Sequence, residues 1–380
     1  MKPTIDSSTP GAYQPLVLVG TAYQRGVIHG ETLKGPIHDL VGLWKEDLKN
    51  GFGGEVDELI RRFFEKTNFI PSIKQWTPDL LEEIKGIADG SGIDFDTMLA
   101  FQFLDELWLN MEPILKEHCS SLGFSAGATE PTYLAQNMDI EEFHDGFQVV
   151  LHIKLPDSDL ESFISSFAGM IGLNGMNNKA IGICCNAEFQ LNHALDGLPV
   201  AFVVRGVLQQ QSEKEAIAFL REIKHSSGQN YLIGGPQRVY DFECSSNQVA
   251  QYKPKGHEKI TWHTNHPLTN HDYSHSYRAM FEKEGSPVVP ANSAARFQSL
   301  KRQLEAGSAG PRLTHIKKVL ASKESIKHPI CGSMGEKEFY HSIGLFTFAS
   351  TIMVLSEKPE FHISLGPPDK TPYQKFSFVN

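Results

Sequence analysis

Three observations predict an α+β domain built on antiparallel sheets. From about His29 to Lys116 the apolar residues recur at helical spacing and β-branched runs are scarce. From Ser120 to His152 short alternating runs take over, the mark of strands. Beyond that, strands and helices come in blocks, not in the regular βαβ alternation of a parallel sheet. No internal repeat, low-complexity segment or linker divides the part after Cys119.

In chain order, residues 1–20 read as an extended lead-in that ends in the apolar run Leu16-Val17-Leu18-Val19. Arg25-Gly26-Val27-Ile28-His29-Gly30 is a turn-rich entry to a helix reaching roughly Asn50, and a second helix runs from about Val56 to Asn68. Thr77-Pro78-Asp79 predicts the next start, with Thr77 as N-cap and Pro78 at the first helical position, where its missing N–H costs nothing. That helix carries Leu80, Leu81, Ile84 and Ile87 on one face and stops at Gly90-Ser91-Gly92. Asp96 caps a fourth, whose apolar face includes Leu99, Phe103, Leu107 and Met111. Residues 1–118 thus form a helical segment ahead of a core at 119–380.

Strands are predicted at 120–126, 132–139, 147–154, 162–168 and 180–185. Two helices follow, the second over Ser212–Ile223 and opened by the capping box Ser212-Glu213-Lys214-Glu215. More strands fall at 230–234, 237–244, 248–252 and 259–263, then helices at 274–283, 292–305 and 312–321. The chain returns to strands at 344–355 and 360–365 and then meets Gly366-Pro367-Pro368.

Composition narrows the function. The chain has 35 basic and 45 acidic residues, a net charge of −10, and no basic run longer than a pair. That argues against nucleic acid, because neutralising phosphates needs clustered lysine and arginine. The longest apolar run, Pro199–Leu208, is too short to span a bilayer and contains Arg205. Met1-Lys2-Pro3-Thr4-Ile5-Asp6 lacks the apolar stretch of a signal peptide, so the cytoplasm or another reducing intracellular compartment is the expectation. The five cysteines are odd in number and include no CxxC, which suggests neither a disulfide framework nor a cysteine-rich zinc site.

The residues able to carry chemistry cluster at the helix-to-strand switch. Cys119 opens the first core strand. A cysteine there is either a small buried hydrophobe or, once the bond before it is cut, a thiol beside its own free α-amine. Asp139 ends the neighbouring strand of the same predicted hairpin and would lie close to Cys119, either to hold an ammonium or simply facing water. Gly169 to Asn186 is glycine-rich without the spacing of a nucleotide loop, and reads better as a tight turn with polar backbone. His263, His266, His271 and His275 form the densest histidine cluster. Pro267 interrupts it and no acidic residue stands at matching spacing, so no metal is assigned. Asn265 between them is a side-chain amide able to donate to an oxyanion, and Arg296 reads alone as a solvated helix residue.

Taken together, the pieces resemble the autoproteolytic N-terminal-nucleophile (Ntn) acyltransferases and hydrolases related to isopenicillin N acyltransferase, and more distantly penicillin V acylase and the bile-salt hydrolases. The resemblance is carried by Arg25-Gly26 with His29-Gly30, by Leu80–Gly92 with Glu83, Gly86 and Gly90, and by Cys119-Ser120-Ser121. It continues through Asn137-Met138-Asp139, Gly175-Met176-Asn177, Thr264-Asn265-His266, Ser293 with Arg296, and Gly366-Pro367-Pro368.

It implies a four-layer αββα sandwich behind a helical pro-segment, cleavage between His118 and Cys119, and two fragments that stay associated. It implies Cys119 as nucleophile and base, Asp139 as partner to its amine and thiol, Asn265 as oxyanion donor and Arg296 as the cation anchoring Asp139 and the cysteine terminus. Asn186 and Asn177 would line the oxyanion and substrate side. The substrate would be a small acyl amide or acyl thioester, and no cofactor would be needed. Two positions depart from the relatives: Gln136 stands where penicillin V acylases and bile-salt hydrolases have arginine, and His118 where the penicillin acyltransferase has glycine. An unprocessed acyl-ligand-binding protein and a histidine-cluster metal hydrolase remain the alternatives.

Overall fold

The computed structural model describes residues 13–111, 119–286, 288–307, 310–334 and 344–378. His118, half of the expected cleavage site, lies outside them.

Strand β1 (Leu16–Leu18) is followed by helices α1 (Ala22–Thr32), α2 (Lys34–Phe52), α3 (Val56–Lys66), α4 (Ile70–Trp76), α5 (Asp79–Ser91), α6 (Phe95–Ala100) and α7 (Leu104–Met111). Arg25–Gly30 is not a turn: it lies inside α1, which Thr21 starts with a capping box through Gln24. The glycines misled because here they serve helix contact. A Cβ on Gly26 would sit 1.9 Å from the Glu83 carbonyl, and one on Gly86 2.2 Å from that of Tyr23, so α1 and α5 touch backbone to backbone. Two caps also shift. Asp94, not Asp96, accepts from the Asp96 and Thr97 N–H groups at α6, and Thr77 makes no cap bond to α5, whose cap residue is Pro78.

A buried ion triad pins this crossing to the core. Glu83 accepts from Arg25 (Nε, 3.1 Å) and from Arg205 (Nη1, 2.6 Å; Nη2, 3.0 Å). Burial pushes the Glu83 carboxyl up, but the two guanidiniums outweigh it and hold it below its ordinary value. Arg205 belongs to the core, so the residues before Cys119 are not an independent cap.

The core strands are β2 (Ser120–Phe124), β3 (Thr132–Glu141), β4 (Gln148–Lys154), β5 (Glu161–Phe167), β6 (Asn174–Asn177), β7 (Gly182–Ala187), β8 (Gln229–Gly234), β9 (Val239–Cys244), β10 (Val249–Tyr252), β11 (Ile260–His263), β12 (Leu345–Leu355), β13 (Glu360–Ser364) and β14 (Gln374–Ser377). Helices α8 (Val200–Leu208) and α9 (Glu213–Glu222) fall between β7 and β8, and α10 (His275–Glu284), α11 (Ala291–Ala306) and α12 (Arg312–Leu320) between β11 and β12. Ser212 caps α9 as expected, while the Glu215 side chain reaches back to the Gln211 N–H, one residue early. The predicted turn around Asn174 is strand β6, too short to show alternation. The short elements α4 and β14 likewise carried too little periodicity to be predicted.

One sheet has eight strands in the order β1-β4-β5-β6-β7-β8-β9-β10, the other six in the order β11-β2-β3-β12-β13-β14. Only the β1–β4 pair is parallel among the described strand pairs. The sheets face each other through β2 and β3 against β7 and β8, with α8 and α9 on the outside of the first sheet and α11 and α12 on the outside of the second. This is an α+β fold of four layers, αββα. Leu134, Met176, Ile183 and Leu232 belong to the main core, and a second cluster around Trp262, Leu300 and Ile352 packs α11 and α12 on the smaller sheet.

Candidate active site

Strand register assembles the site. Ser120 pairs with Asn137 and Ser121 with Gln136, so Cys119 falls at the open end of the β2–β3 hairpin beside Met138 and Asp139. On the other side of β2, His263 of β11 pairs with Ser121, and two residues further along the antiparallel strand Asn265 comes level with Cys119. Cys119, Asp139 and Asn265 line one cavity of about 130 Å³, walled by residues of both sheets and of α2, α7 and α8. Cys119 is partly exposed there, while Asp139 and Asn265 are buried.

Arg296 ties these pieces together from α11. Fully buried, it donates to the Cys119 carbonyl, to Ser120 Oγ (2.9 Å), to Asn265 Oδ1 (2.9 Å) and to Asn292 Oδ1 (2.7 Å). Sequence alone made it a solvated helix residue, because no pattern in the sequence announces a guanidinium that faces inward. Its donors hold the cysteine carbonyl and the asparagine amide. With Oδ1 taken by Arg296, the Asn265 amide nitrogen donates to the Ala187 carbonyl (3.1 Å) and its orientation is fixed. Ser293, one turn earlier on α11, accepts from the Asn265 N–H (2.8 Å) and meets Thr264 Oγ1 (2.9 Å) and His266 Nδ1 (2.7 Å).

The thiol is not an anion in this setting. Enclosure and then the Asp139 carboxylate push the Cys119 thiol up to about 12, against a hydrogen bond from the Asp139 backbone and the pull of Arg296. Asp105 of α7 lines the same cavity and accepts from Gln229 Nε2 (2.7 Å). Burial, then Glu106, push its carboxyl up to about 7. The sequence held no signal for Asp105 beyond an acidic pair on an otherwise apolar helix.

Asn186 and Asn177 are not brought to the cavity. Asn186 is buried behind it, donating to Ser121 Oγ (2.6 Å) and Asn230 Oδ1 (2.9 Å) and accepting from Gln136 Nε2 (3.1 Å). Both amide hydrogens are spent, which leaves none for an oxyanion. Asn177 closes the β6–β7 turn, donating to the Leu208 and Gln210 carbonyls (3.1 and 2.9 Å) and accepting from the N–H groups of Lys179 and Ile181 (both 3.0 Å). Gln136 also donates to the Cys185 carbonyl and accepts from Asn174 (2.7 Å), so it knits the two sheets together.

The four clustered histidines do not converge on one point. His266 turns to Ser293, whereas His263 is buried with Nε2 3.0 Å from Glu243 and 3.5 Å from Glu188. Those three residues are the only group with metal-ligand spacing among the described residues. Glu243 already accepts from the Leu268, Thr269 and Asn270 N–H groups, and His263 Nδ1 faces the Thr264 carbonyl. That donor set fits an imidazolium–carboxylate clasp on the loop carrying Asn265.

The model of a family described as acyl-coenzyme A:6-aminopenicillanic acid acyl-transferase matches residues 127–326. The match begins after Cys119 and includes Asp139, Asn265 and Arg296. Among curated proteins, Protein dcd1A of Dictyostelium discoideum is 27% identical over 243 residues, covering 53% of this chain and 51% of its own. Protein dcd1B of the same organism is 25% identical over 217 residues, covering 51% and 42%. The chain thus spans about half the length of the curated relatives it matches. Among solved structures, penicillin V acylase from Agrobacterium tumefaciens aligns with a TM-score of 0.44 and 14% identity over 68% of this chain and 86% of that one. A mutant of conjugated bile acid hydrolase from Clostridium perfringens aligns with a TM-score of 0.40 and 13% identity over 68% and 97%.

Proposed function

The chain belongs to the acyl-coenzyme A:6-aminopenicillanic acid acyl-transferase family, and from that premise we propose that it is an acyl-transfer enzyme, self-cleaved between His118 and Cys119, that works through a thioester on Cys119. The observation that carries the reading is the convergence of Cys119, Asp139 and Asn265 on one cavity, with Arg296 holding both the Cys119 carbonyl and the Asn265 amide.

The electrostatics supply the reason for a cut. A thiol pushed up to about 12 needs a base at hand, and an amide nitrogen cannot serve. Cutting the bond before Cys119 converts that nitrogen into an α-amine with a pKa of about 7.7–8.0. The amine takes the thiol proton as the sulfur attacks, and the resulting ammonium lies where the Asp139 carboxylate favours positive charge. The carbonyl oxygen, now negative, is held by the Asn265 amide. The C–N bond then breaks, the amine leaves with the proton, and the acyl group remains as a thioester. Water releases it as an acid, or a second amine takes it and regenerates the thiol. Self-cleavage turns the same thiol on the His118 carbonyl: the Cys119 nitrogen is then the leaving group and gains the thiol proton as the C–N bond breaks, so the α-amine forms in that step, and water hydrolyses the resulting thioester to free the His118 carboxyl and the thiol. Substrates are small acyl amides or acyl thioesters, and the fragments 1–118 and 119–380 stay together.

Intact-mass measurement of purified protein is expected to find two chains, Met1–His118 and Cys119–Asn380, and Cys119→Ala a single inactive chain. A single uncut chain that turns over acyl amides, or full activity in Cys119→Ala, refutes the proposal.

A further inference from the structure

Two uncharged nitrogens on the cavity wall bear on the acyl half of the substrate. Leu104, Trp108, Phe167, Met170 and Val204 make part of that wall apolar, and the volume of about 130 Å³ is close to the ~150 Å³ of an engineered apolar cavity that takes benzene. A ring or a short chain fills such a space.

Trp44 and His144 belong to the same wall, and both are buried, at 2% and 1% exposure. Trp44 lies on the inner face of α2 with Ile37, Leu40, Val41 and Leu48, its ring edge-on to Phe101 at 5.2 Å. An indole nitrogen can only donate, and Trp44 Nε1–H has no acceptor among the described residues. His144 ends the 3-10 turn Glu142–His144 that follows β3, against which α2 packs. Phe143 stacks on its ring at 4.2 Å and Phe167 leans on it at 4.7 Å. His144 Nδ1 is 3.2 Å from the Glu141 carbonyl and 3.6 Å from the Glu141 carboxylate, two acceptors, so the ring hydrogen belongs on Nδ1. Burial pushes the imidazole down to about 3, which leaves Nε2 a bare lone pair, and it too has no partner among the described residues. Native proteins leave few buried donors or acceptors unpaired, because each such atom has given up water for nothing.

We propose that the acyl half of the substrate is a ring or short chain bearing a hydroxyl, with Trp44 Nε1–H donating to its oxygen and His144 Nε2 accepting its hydrogen. The inference rests on the acyl-transfer reading above and adds which acyl groups are taken. A hydroxyl is a small neutral group that both accepts and donates. Both residues line the cavity, so a ligand there is the partner they can reach. An acyl group made only of carbon and hydrogen would fill the space and leave both nitrogens unpaired, which is how a site of this kind discriminates. Trp44 comes from the segment before the cut and His144 from the segment after it, so acyl specificity would need both fragments.

Esters of 4-nitrophenol isolate the acyl half, because they share one leaving group that the Cys119 sulfur displaces as nitrophenolate. The test uses the full-length processed protein and three such esters: 3-phenylpropanoyl, 3-(3-hydroxyphenyl)propanoyl and 3-(4-hydroxyphenyl)propanoyl. The better of the two hydroxylated esters is expected to acylate Cys119 at least tenfold faster than the unsubstituted one, read as nitrophenolate release and as the acyl adduct by intact mass. Trp44→Phe keeps a ring and removes the N–H, and His144→Phe keeps the stack and removes the lone pair. Each is expected to shrink that ratio at least fivefold, a change that a merely structural role would not produce. Equal rates for the three esters mean that water serves the two nitrogens as well as a hydroxyl does, which overturns this inference and leaves the acyl-transfer reading standing. A ratio unchanged in either variant also overturns it, since both nitrogens are required, and no adduct on Cys119 from any ester overturns both readings. Should neither variant fold, the wild-type ranking alone decides.

Discussion

Arg296 shows how much of the site depends on one buried side chain. Its guanidinium is at once the support of the Cys119 carbonyl and the clamp on the Asn265 amide. Arg296→Met is expected to lower kcat on the order of 10²–10³-fold, the cost typical of losing one oriented oxyanion donor, with little change in KM; steady-state kinetics on any accepted amide will check it. The thiol offers a second test. If the chain cuts itself as proposed, Asn265→Ala, which lacks the amide that holds the oxyanion, is expected to stay uncut and its thiol to react with iodoacetamide at pH 7.5 at least a hundredfold more slowly than that of the wild type. At this scale legibility was uneven. Cys119 and Asp139 stood out because both mark strand ends, and a hairpin register can be guessed from two adjacent runs. Arg296 was reached only through the family resemblance and Asp105 not at all, because helix periodicity tells which residues face inward only when they are apolar.

At the scale of elements, the α1–α5 crossing is the clearest case of a motif that sequence detected and misread. The glycines of α1 read as a turn, yet with Gly86 of α5 they serve proximity between two helices, while the expected stop at Gly90-Ser91-Gly92 is the end of α5, capped by left-handed Gly92. Gly26→Ala would drive a methyl group into the Glu83 carbonyl, and the expected cost is about 3 kcal/mol, read as a lowered midpoint of urea unfolding. Glu83→Gln keeps the shape but strands two guanidiniums, so a loss of about 3–5 kcal/mol is expected in the same assay. The contribution of Glu83 has a definite pH sense. Its folded pKa lies below the ordinary value, so the stabilisation is present above about 4.5 and lost as pH falls through the folded pKa. Strands of five residues or more were legible from alternation, as were the four-residue β10 and β11, whereas β6, whose Asn-Gly-Met-Asn reads as a turn, and β14 were not.

For the whole molecule, the four layers bury histidines in neutral form on several elements. Burial pushes His29 and His225 down to about 4 and His144 and His266 to about 3, with other charges adjusting His29 and His266. In the unfolded chain these rings take up protons near 6.5, so between about 6.5 and 4 the unfolded state binds more protons and stability falls as pH is lowered. His263 opposes the trend: the acidic groups around it outweigh burial and raise it, so its share is full at low pH and fades as pH rises through its folded value. Urea midpoints at pH 7 and pH 5 are expected to differ, with the lower value at pH 5. The layered α+β class was legible because block order survives errors at element boundaries. The attachment of the first hundred residues was not, since β1 is only three residues long and finds its parallel partner more than 130 positions away. That small strand has a consequence for any break in the backbone near residue 118. An early length that supplies a sheet edge, both helices of a glycine-lined crossing and the acid gripping Arg205 would have nowhere to go if severed. The scission would act like the pin drawn from a lock whose parts are already seated, altering reactivity at one nitrogen while the architecture stands still.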